Sequence, residues 1–372
     1  MNRNLLILTA LLFGYQHITN AQLMNEPDVD DQKRTTFTVN APNAREVKII
    51  NQSDEEAMGA DEYILRKEEN GIWKVTTNPC RPGLHYYKLS IDGFECADPR
   101  SQLYFGWGRW SSCLEVPDKN ETFYLPKDTP KGDVVIHWYK SEVTGTTRKC
   151  LIYTPPGYRK DYEKRYPVLY LQHGAGESEL GWTMQGKVNF IMDNLIAEGK
   201  AKPMIIVMDN GYAPAPGAED KARPRGGDNE FEKMLLYDLI PEIDANYRTI
   251  ASRESRAIAG LSMGSGQAQR IGFANLDHFS SIGAFSGGVR NLDVNSSFSG
   301  VFKDADQFNK MVKLYWIGSG DLDDWAYENG KNLHNLLTEL GINHVWFEMH
   351  GSHEWQVWRY SIHEFAQKLF KY

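Results

Sequence analysis

Cysteine is scarce in this 372-residue chain. Cys80, Cys96, Cys113 and Cys150 are the four present, and no two stand at a C-x-x-C spacing, which excludes zinc-ribbon and thioredoxin-type chemistry. No H-E-x-x-H run occurs and His350 with His353 lacks a third ligand, so no metal site is expected. Past the first residues no apolar stretch is long enough to span a bilayer, so no membrane partner is expected. Positive charge is short as well: 41 Lys and Arg face 49 Asp and Glu, a net charge of −8. That balance argues against nucleic acid or an anionic surface as partner, since both select basic footprints. Internal repeats and low-complexity tracts are absent too.

What is present begins with a signal-like N-terminus. Arg3 supplies the positive start, Leu5 to Phe13 the apolar stretch, and Thr19-Asn20-Ala21 a small-residue exit, so residues 1–21 are expected to be removed on export to the periplasm or beyond. In an exported chain a disulfide is expected, with Cys96–Cys113 favoured among the connectivities open to four cysteines.

Two grammars follow. Over residues 22–117, short alternating runs such as Thr36-Phe37-Thr38-Val39, Val47-Lys48-Ile49-Ile50 and Leu84 to Leu89, punctuated by Asp92-Gly93, predict a small all-β sandwich. Residues 118–130, polar and carrying Pro126 and Pro130, read as a linker. From 131 to 372, apolar runs at 134–138, 166–171, 204–208, 256–259, 313–317 and 345–349 alternate with helical segments at 188–198, 231–246, 327–340 and 354–369. The fold class is α/β, a mostly parallel sheet flanked by helices, with Pro241 expected to kink its helix. Gly211 to Asp228 is expected to be a long loop beside the pocket, and Gly283 to Gly288 a Gly-rich turn.

One pattern carries chemistry. Gly260-Leu261-Ser262-Met263-Gly264 is a G-x-S-x-G sequence between an apolar strand and a helix-compatible segment. A nucleophilic serine on such a strained turn needs small residues on either side of it, where the backbones close. It also needs a base, oriented by a carboxylate, supplied later in the chain by successive strand ends. The strand at 313–317 leads to Asp321, favoured over Asp323 and Asp324 because it is first out of the turn Gly318-Ser319-Gly320. The strand at 345–349 leads to His353, favoured over His334, His344, His350 and His363. The N–H groups of Met263 and Ala175 are the expected oxyanion donors, with His173 bracing the turn that carries Ala175.

Several stretches resemble known families. Pro82-Gly83-Leu84-His85-Tyr86-Tyr87, Asp92-Gly93 and Asp98-Pro99 resemble the immunoglobulin-like module of carbohydrate-binding family 48. Nearby Tyr104, Phe105, Trp107 and Trp110 fit either sugar stacking or packing between domains. Residues 130–372 resemble carbohydrate esterase family 1, the esterase D and feruloyl esterase group. The match lies in Tyr153-Thr154-Pro155-Pro156-Gly157-Tyr158, Gln172-His173-Gly174 with Glu177 and Trp182, Asp193-Asn194-Leu195-Ile196, the serine motif, Gly318-Ser319-Gly320-Asp321 and 353–359. Ser265 departs from the glycine common in relatives and is expected to trim the pocket.

This resemblance implies an α/β-hydrolase without metal or organic cofactor. It implies Ser262 as nucleophile, His353 as base, Asp321 as its orienter, and Ala175 and Met263 as oxyanion donors. Feruloylated xylan or its oligosaccharides are the implied substrate, with acetylated xylan the alternative and a non-catalytic glycan-binding protein a further one. Trp182, Tyr212, Trp325 and Trp355 are the candidate substrate contacts. Enterochelin-type esterases share the two-part layout, but the export signal argues against that role.

Overall fold

Alternation of buried and exposed residues along each strand builds the first part of the chain, as in Arg34–Asn40, where Thr35, Phe37 and Val39 point inward. The computed structural model describes residues 27–118, 120–217, 230–289 and 292–372. The expected signal segment and most of the expected loop at 211–228 lie outside these. The chain divides into two units, one running to Leu103 and including Ser111–Pro117, the other comprising Tyr104–Trp110 and Asp118–Tyr372.

In chain order the early strands are β1 (Asp28–Val29), β2 (Arg34–Asn40), β3 (Val47–Asn51), β4 (Glu62–Ile64), β5 (Arg66–Lys67), β6 (Ile72–Pro79), β7 (Gly83–Ile91), β8 (Phe94–Cys96), β9 (Leu103–Gly106) and β10 (Arg109–Val116), with a short helix α1 (Glu55–Met58) after β3. They form two sheets, β1-β2-β6-β5 and β4-β3-β7-β10-β9, with β8 also on β7. Phe37, Val39 and Trp73 of one sheet share a core with Val47, Ile49, Leu89 and Leu114 of the other, which makes a β-sandwich.

The expected Cys96–Cys113 bond is not formed, and all four cysteines are thiols. Register explains why. Cys96 sits opposite Leu89 and Cys113 opposite Tyr86 on β7, an odd offset that turns the side chains to opposite faces and separates them by about 10 Å along the strand, beyond disulfide reach.

The second unit is built on one eight-stranded sheet. Its strands are β11 (Asp133–Ser141), β12 (Thr146–Thr154), β13 (Val168–Gln172), β14 (Ile205–Asp209), β15 (Arg256–Leu261), β16 (Ser281–Phe285), β17 (Leu314–Gly320) and β18 (Val345–Met349), in the order β11-β12-β14-β13-β15-β16-β17-β18. From β14 to β18 neighbours are parallel, whereas β11, β12 and β14 pair antiparallel. Helices α2 (Gly181–Met184), α3 (Val188–Ala197), α4 (Phe231–Met234), α5 (Ile240–Asn246), α6 (Met263–Ala274), α7 (Ala305–Met311), α8 (Asp324–Glu339) and α9 (Trp355–Lys368) connect and cover it. Helices α4, α5, α6 and α8 bury Phe231, Ile243, Ile271 and Leu337 with one face of the sheet. α9 packs with α3, β16 and β17. Every residue of β13 to β17 is buried, as sheet residues covered on both faces must be.

Three expectations change. Residues 118–130 are not a free linker: Tyr124 is buried, and Asn194 on α3 donates to the carbonyls of Phe123 and Leu125 at 2.8 and 2.9 Å. Aromatic anchoring outweighs the polar, proline-containing composition. The stretch read as a turn at 283–288 begins as strand β16, and only Ser286 onward turns. Gly283 lies in that strand because a Cβ there would press on Ala259 at 2.8 Å and on Phe365. Between α4 and α5, Pro241 is accommodated by a π-helical turn at Leu235–Leu239 rather than by a break. Denatured without reductant, the protein should titrate all four thiols; a count of two would restore a disulfide.

Candidate active site

The C-terminal ends of the parallel strands are tied to one another by backbone hydrogen bonds. Ser262 N donates to Phe285 O at 2.8 Å, Ser286 N to Gly318 O at 2.7 Å, and Asp321 N to Met349 O at 2.9 Å. The loops that follow β15, β16, β17 and β18 are thereby held along one edge of the sheet, where α/β enzymes gather their chemistry.

Ser262 stands between β15 and α6 with φ 52° and ψ −114°, a backbone conformation that side-chain-bearing residues rarely adopt. Such strain costs about 1–3 kcal/mol and persists where packing imposes it. The packing is visible at the two glycines. A Cβ on Gly260 would stand 2.6 Å from the Gly264 carbonyl, and one on Gly264 would stand 2.6 Å from the His173 carbonyl oxygen. The sharp turn and its contact with the end of β13 therefore require glycine at both positions. Ser265 is fully buried with its hydroxyl donated to Gly287 O at 2.9 Å, so it fastens α6 to the next turn and does not trim the pocket.

The loop 173–177 after β13 is held from several sides. Gly174 N–H goes to Glu177 Oε2 at 3.3 Å, and Gly176 N–H to the Tyr212 hydroxyl at 2.7 Å. Gly176 O accepts from Gly108 N at 2.6 Å, and Gly176 itself has φ 78°. Between these two occupied amides, Ala175 N–H donates to no acceptor among the described residues, and the same is true of Met263 N–H at the head of α6. One open donor directly follows the strained serine, and the other follows Gly174, which lies against Ser262; open backbone donors of this kind are what an oxyanion hole requires.

His173 braces this loop. Its Nε2 accepts from Gly211 N at 2.9 Å, which leaves the proton on Nδ1 to be donated to Gly174 O at 2.8 Å. Burial holds its pKa below the ordinary value, so it stays neutral. The 210–212 segment is fixed in turn by Arg148, paired with buried Asp209 at 2.8 Å and donating to Tyr212 O at 3.1 Å.

The histidine expected as base is paired with a carboxylate, but not the one favoured from sequence. His353 Nδ1 lies 2.6 Å from Asp323 Oδ2. Asp321 instead accepts Gly351 N–H at 3.0 Å and faces the exposed His350 at 3.2 Å. The reason is local. Asp321, first out of β17, is spent closing the turn onto β18, while Asp323 is the N-cap of α8, where Oδ1 accepts from Ala326 N and Oδ2 is left for His353. The Asp323 side chain is 6% exposed against 44% for Asp321, so its hydrogen bond is far better shielded from water. The signal available in the sequence was its place immediately before α8.

Among the described residues no hydrogen bond joins the Ser262 hydroxyl to His353; in substrate-free enzymes such bonds are often long and tighten with substrate. With Nδ1 engaged by Asp323, Nε2 is the ring nitrogen left to take part in proton transfer. The four candidate substrate contacts separate. Trp182 and Trp355 are both 1% exposed and pack edge to face against each other, with Trp182 Nε1 bonded to Gln172 O, so they are framework and not substrate contacts. Tyr212 positions Gly176. Trp325 is 42% exposed, with its ring 6.3 Å from that of His353.

The eight-stranded, mostly parallel sheet wrapped by helices is an α/β-hydrolase fold, with the Gly-x-Ser-x-Gly turn after β15 and the histidine–carboxylate pair after β17 and β18. The family model "Esterase" matches residues 141–369, and the chain belongs to that family of carboxylic ester hydrolases. It is 38% identical over 93% of its length to an endo-1,4-beta-xylanase/feruloyl esterase of Xylanibacter ruminicola, of which it covers 46%. The chain thus spans about half the length of that relative, and 35% of the esterase Rv1288 of Mycobacterium tuberculosis, to which it is 32% identical over 47% of its own length. Among solved structures, a ferulic acid esterase of Anaeromyces mucronatus with bound ferulic acid is 29% identical, covers 68% of this chain and 96% of its own, and superposes with a TM-score of 0.59. An enterobactin esterase of Shigella flexneri shares the fold over 91% of this chain and 93% of its own, with a TM-score of 0.66 at 15% identity.

Replacing Asp323 by Asn should lower kcat about 10⁴-fold by misorienting His353. Asp321→Asn should stay within about threefold of wild type, because Asp321 only closes an exposed turn. Steady-state rates of the two variants on one ester decide between the carboxylates.

Proposed function

We propose that the protein hydrolyses ester-linked acyl groups, ferulate in particular, from xylan or its oligosaccharides through an acyl-enzyme on Ser262. The observation that carries this reading is the strained backbone of Ser262 in its Gly-x-Ser-x-Gly turn, and it is supported by the His353–Asp323 hydrogen bond and by the open N–H groups of Ala175 and Met263. Ser262 Oγ attacks the ester carbonyl while His353 Nε2 takes its proton. Asp323 keeps the imidazole in the required tautomer and stabilises the imidazolium that forms. The oxyanion is met by two backbone amides that need no rearrangement, a contribution of about 3–4 kcal/mol per donor in comparable sites. Collapse of the tetrahedral intermediate breaks the bond to the sugar oxygen, which leaves as an alcohol protonated by His353. Water, deprotonated by the same histidine, then releases the acid and restores the serine.

The preference for ferulate is supported by the feruloyl and ferulic acid esterases among the relatives. It is supported further by the half-exposed indole of Trp325 beside His353, a flat apolar surface suited to an aromatic acyl group. A polymeric substrate that cannot enter a cell accords with export directed by residues 1–21, which we propose as a cleaved signal.

Ser262→Ala should cost about 10⁶ in kcat, and a variant retaining a tenth of wild-type turnover would end the assignment of the nucleophile. Wild-type protein assayed on methyl ferulate, acetylated xylan and 4-nitrophenyl acetate should favour the first in kcat/KM. Release of acetate from xylan with no turnover of methyl ferulate would replace the ferulate reading with the acetyl one.

A further inference from the structure

Glu177 is a buried carboxyl that the proton transfers of the reaction do not use. It is 7% exposed and lies in the loop that carries Ala175. Its Oε2 accepts the N–H of Gly174 at 3.3 Å, and its own N–H returns to Gly174 O at 3.3 Å, closing the loop on itself. A methyl group added to Gly174 would meet Ser262 Cβ at 3.5 Å and Glu177 Oε2 at 3.7 Å, so nucleophile and carboxyl flank the same glycine. On its other side the carboxyl meets α2 and α9: a methyl group at Gly181 would touch Trp355 at 3.2 Å and Glu177 Oε2 at 3.4 Å. Trp355 packs edge to face on Trp358, whose ring lies 5.0 Å from that of His353.

The charged and titratable groups on the surrounding elements have other partners. On its own loop, His173 is held neutral and Glu179 pairs with Lys149 at 3.0 Å. At α9, Arg359 donates to Gln185 O at 2.9 Å, Glu354 accepts from Ser352 N at 3.2 Å, and His353 is held by Asp323. The facing residues of α2, β15 and α6, among them Trp182, Leu261 and Ser262, carry no charge. A carboxylate in such a place would oppose the negative charge that develops on the substrate a short distance away.

We propose that Glu177 is a positioning residue for the oxyanion hole, acting as a neutral carboxylic acid that holds Gly174 N–H so that Ala175 N–H turns to the substrate. Burial pushes its pKa up to about 8, opposed by the Gly174 N–H and the Trp355 indole, and no charged side chain contributes. Above that pH the group ionises, charge appears behind the hole, and turnover falls.

The proposal rests on the ester-hydrolase reading, and two measurements keep the two separable. In the first, wild-type kcat on 4-nitrophenyl acetate is followed with pH. It should fall with a midpoint near pH 8. Glu177→Gln, which keeps a neutral acceptor, should retain kcat at neutral pH to within about threefold and stay level to about pH 10. Glu177→Met should also lack the alkaline fall but turn over more slowly throughout, since Gly174 N–H loses its acceptor. A Glu177→Gln profile superimposable on wild type would overturn the proposal, as would a neutral-pH loss as large as that of Glu177→Met.

The second measurement needs no substrate. A carboxyl whose folded pKa is raised contributes stability that is complete below its unfolded value near 4.5 and is lost as pH climbs through about 8. The Tm of Glu177→Gln relative to wild type should therefore increase across that window, and a constant difference would overturn the proposal. An inactive wild-type protein with the expected Tm trend would reject the esterase reading alone.

Discussion

Gly264 pressed against the carbonyl oxygen of His173 is the contact on which the site depends. With no side chain between them, the start of α6 lies directly against the end of β13, the strand that leads into the loop carrying Ala175. The same approach forces Ser262 into its strained conformation. A strain of about 1–3 kcal/mol is sustained because the strands on either side are buried on both faces and cannot relax without opening the core. A larger residue at position 264 would press on His173 and Gln172 and push α6 away from the end of β13.

The opposite side of the site is set by a helix end. Asp323 caps α8 with one oxygen and holds His353 with the other, so the imidazole inherits its orientation from the start of a helix packed on β17. A buried carboxylate satisfied at both oxygens resists both water and rotation, which an exposed one does not. The Trp182, Trp355 and Trp358 cluster connects this side with the oxyanion loop through edge-to-face contacts.

Much of this was legible in the residues, for reasons that differ from place to place. The serine turn was readable because its glycines are demanded by sterics within a few residues. Strands β13 to β15 and helices α3, α8 and α9 announced themselves by apolar runs and helical periodicity. Strand β12 did not, because its first half, Thr146–Lys149, is polar and exposed or half-buried at the sheet's antiparallel end. The choice of Asp321 over Asp323 failed because order out of the turn says nothing about which side chain the α8 cap points inward. Trp182 and Trp355 look like ligand contacts by type, yet burial, a property of the whole packing, makes them framework. The segment at 118–130 misled through composition, since the buried Tyr124 and the Asn194 hydrogen bonds on either side of it anchor the chain despite its polar residues.

The account stands on covalent catalysis at one serine. Its most direct test is to mix the protein with methyl ferulate, quench in acid within a single turnover, and map the adduct by peptide mass spectrometry. A feruloyl group on the peptide containing Ser262, absent from the Ser262→Ala protein, is the result expected. Product formation with no adduct on that peptide, or an adduct carried by another residue, would contradict it.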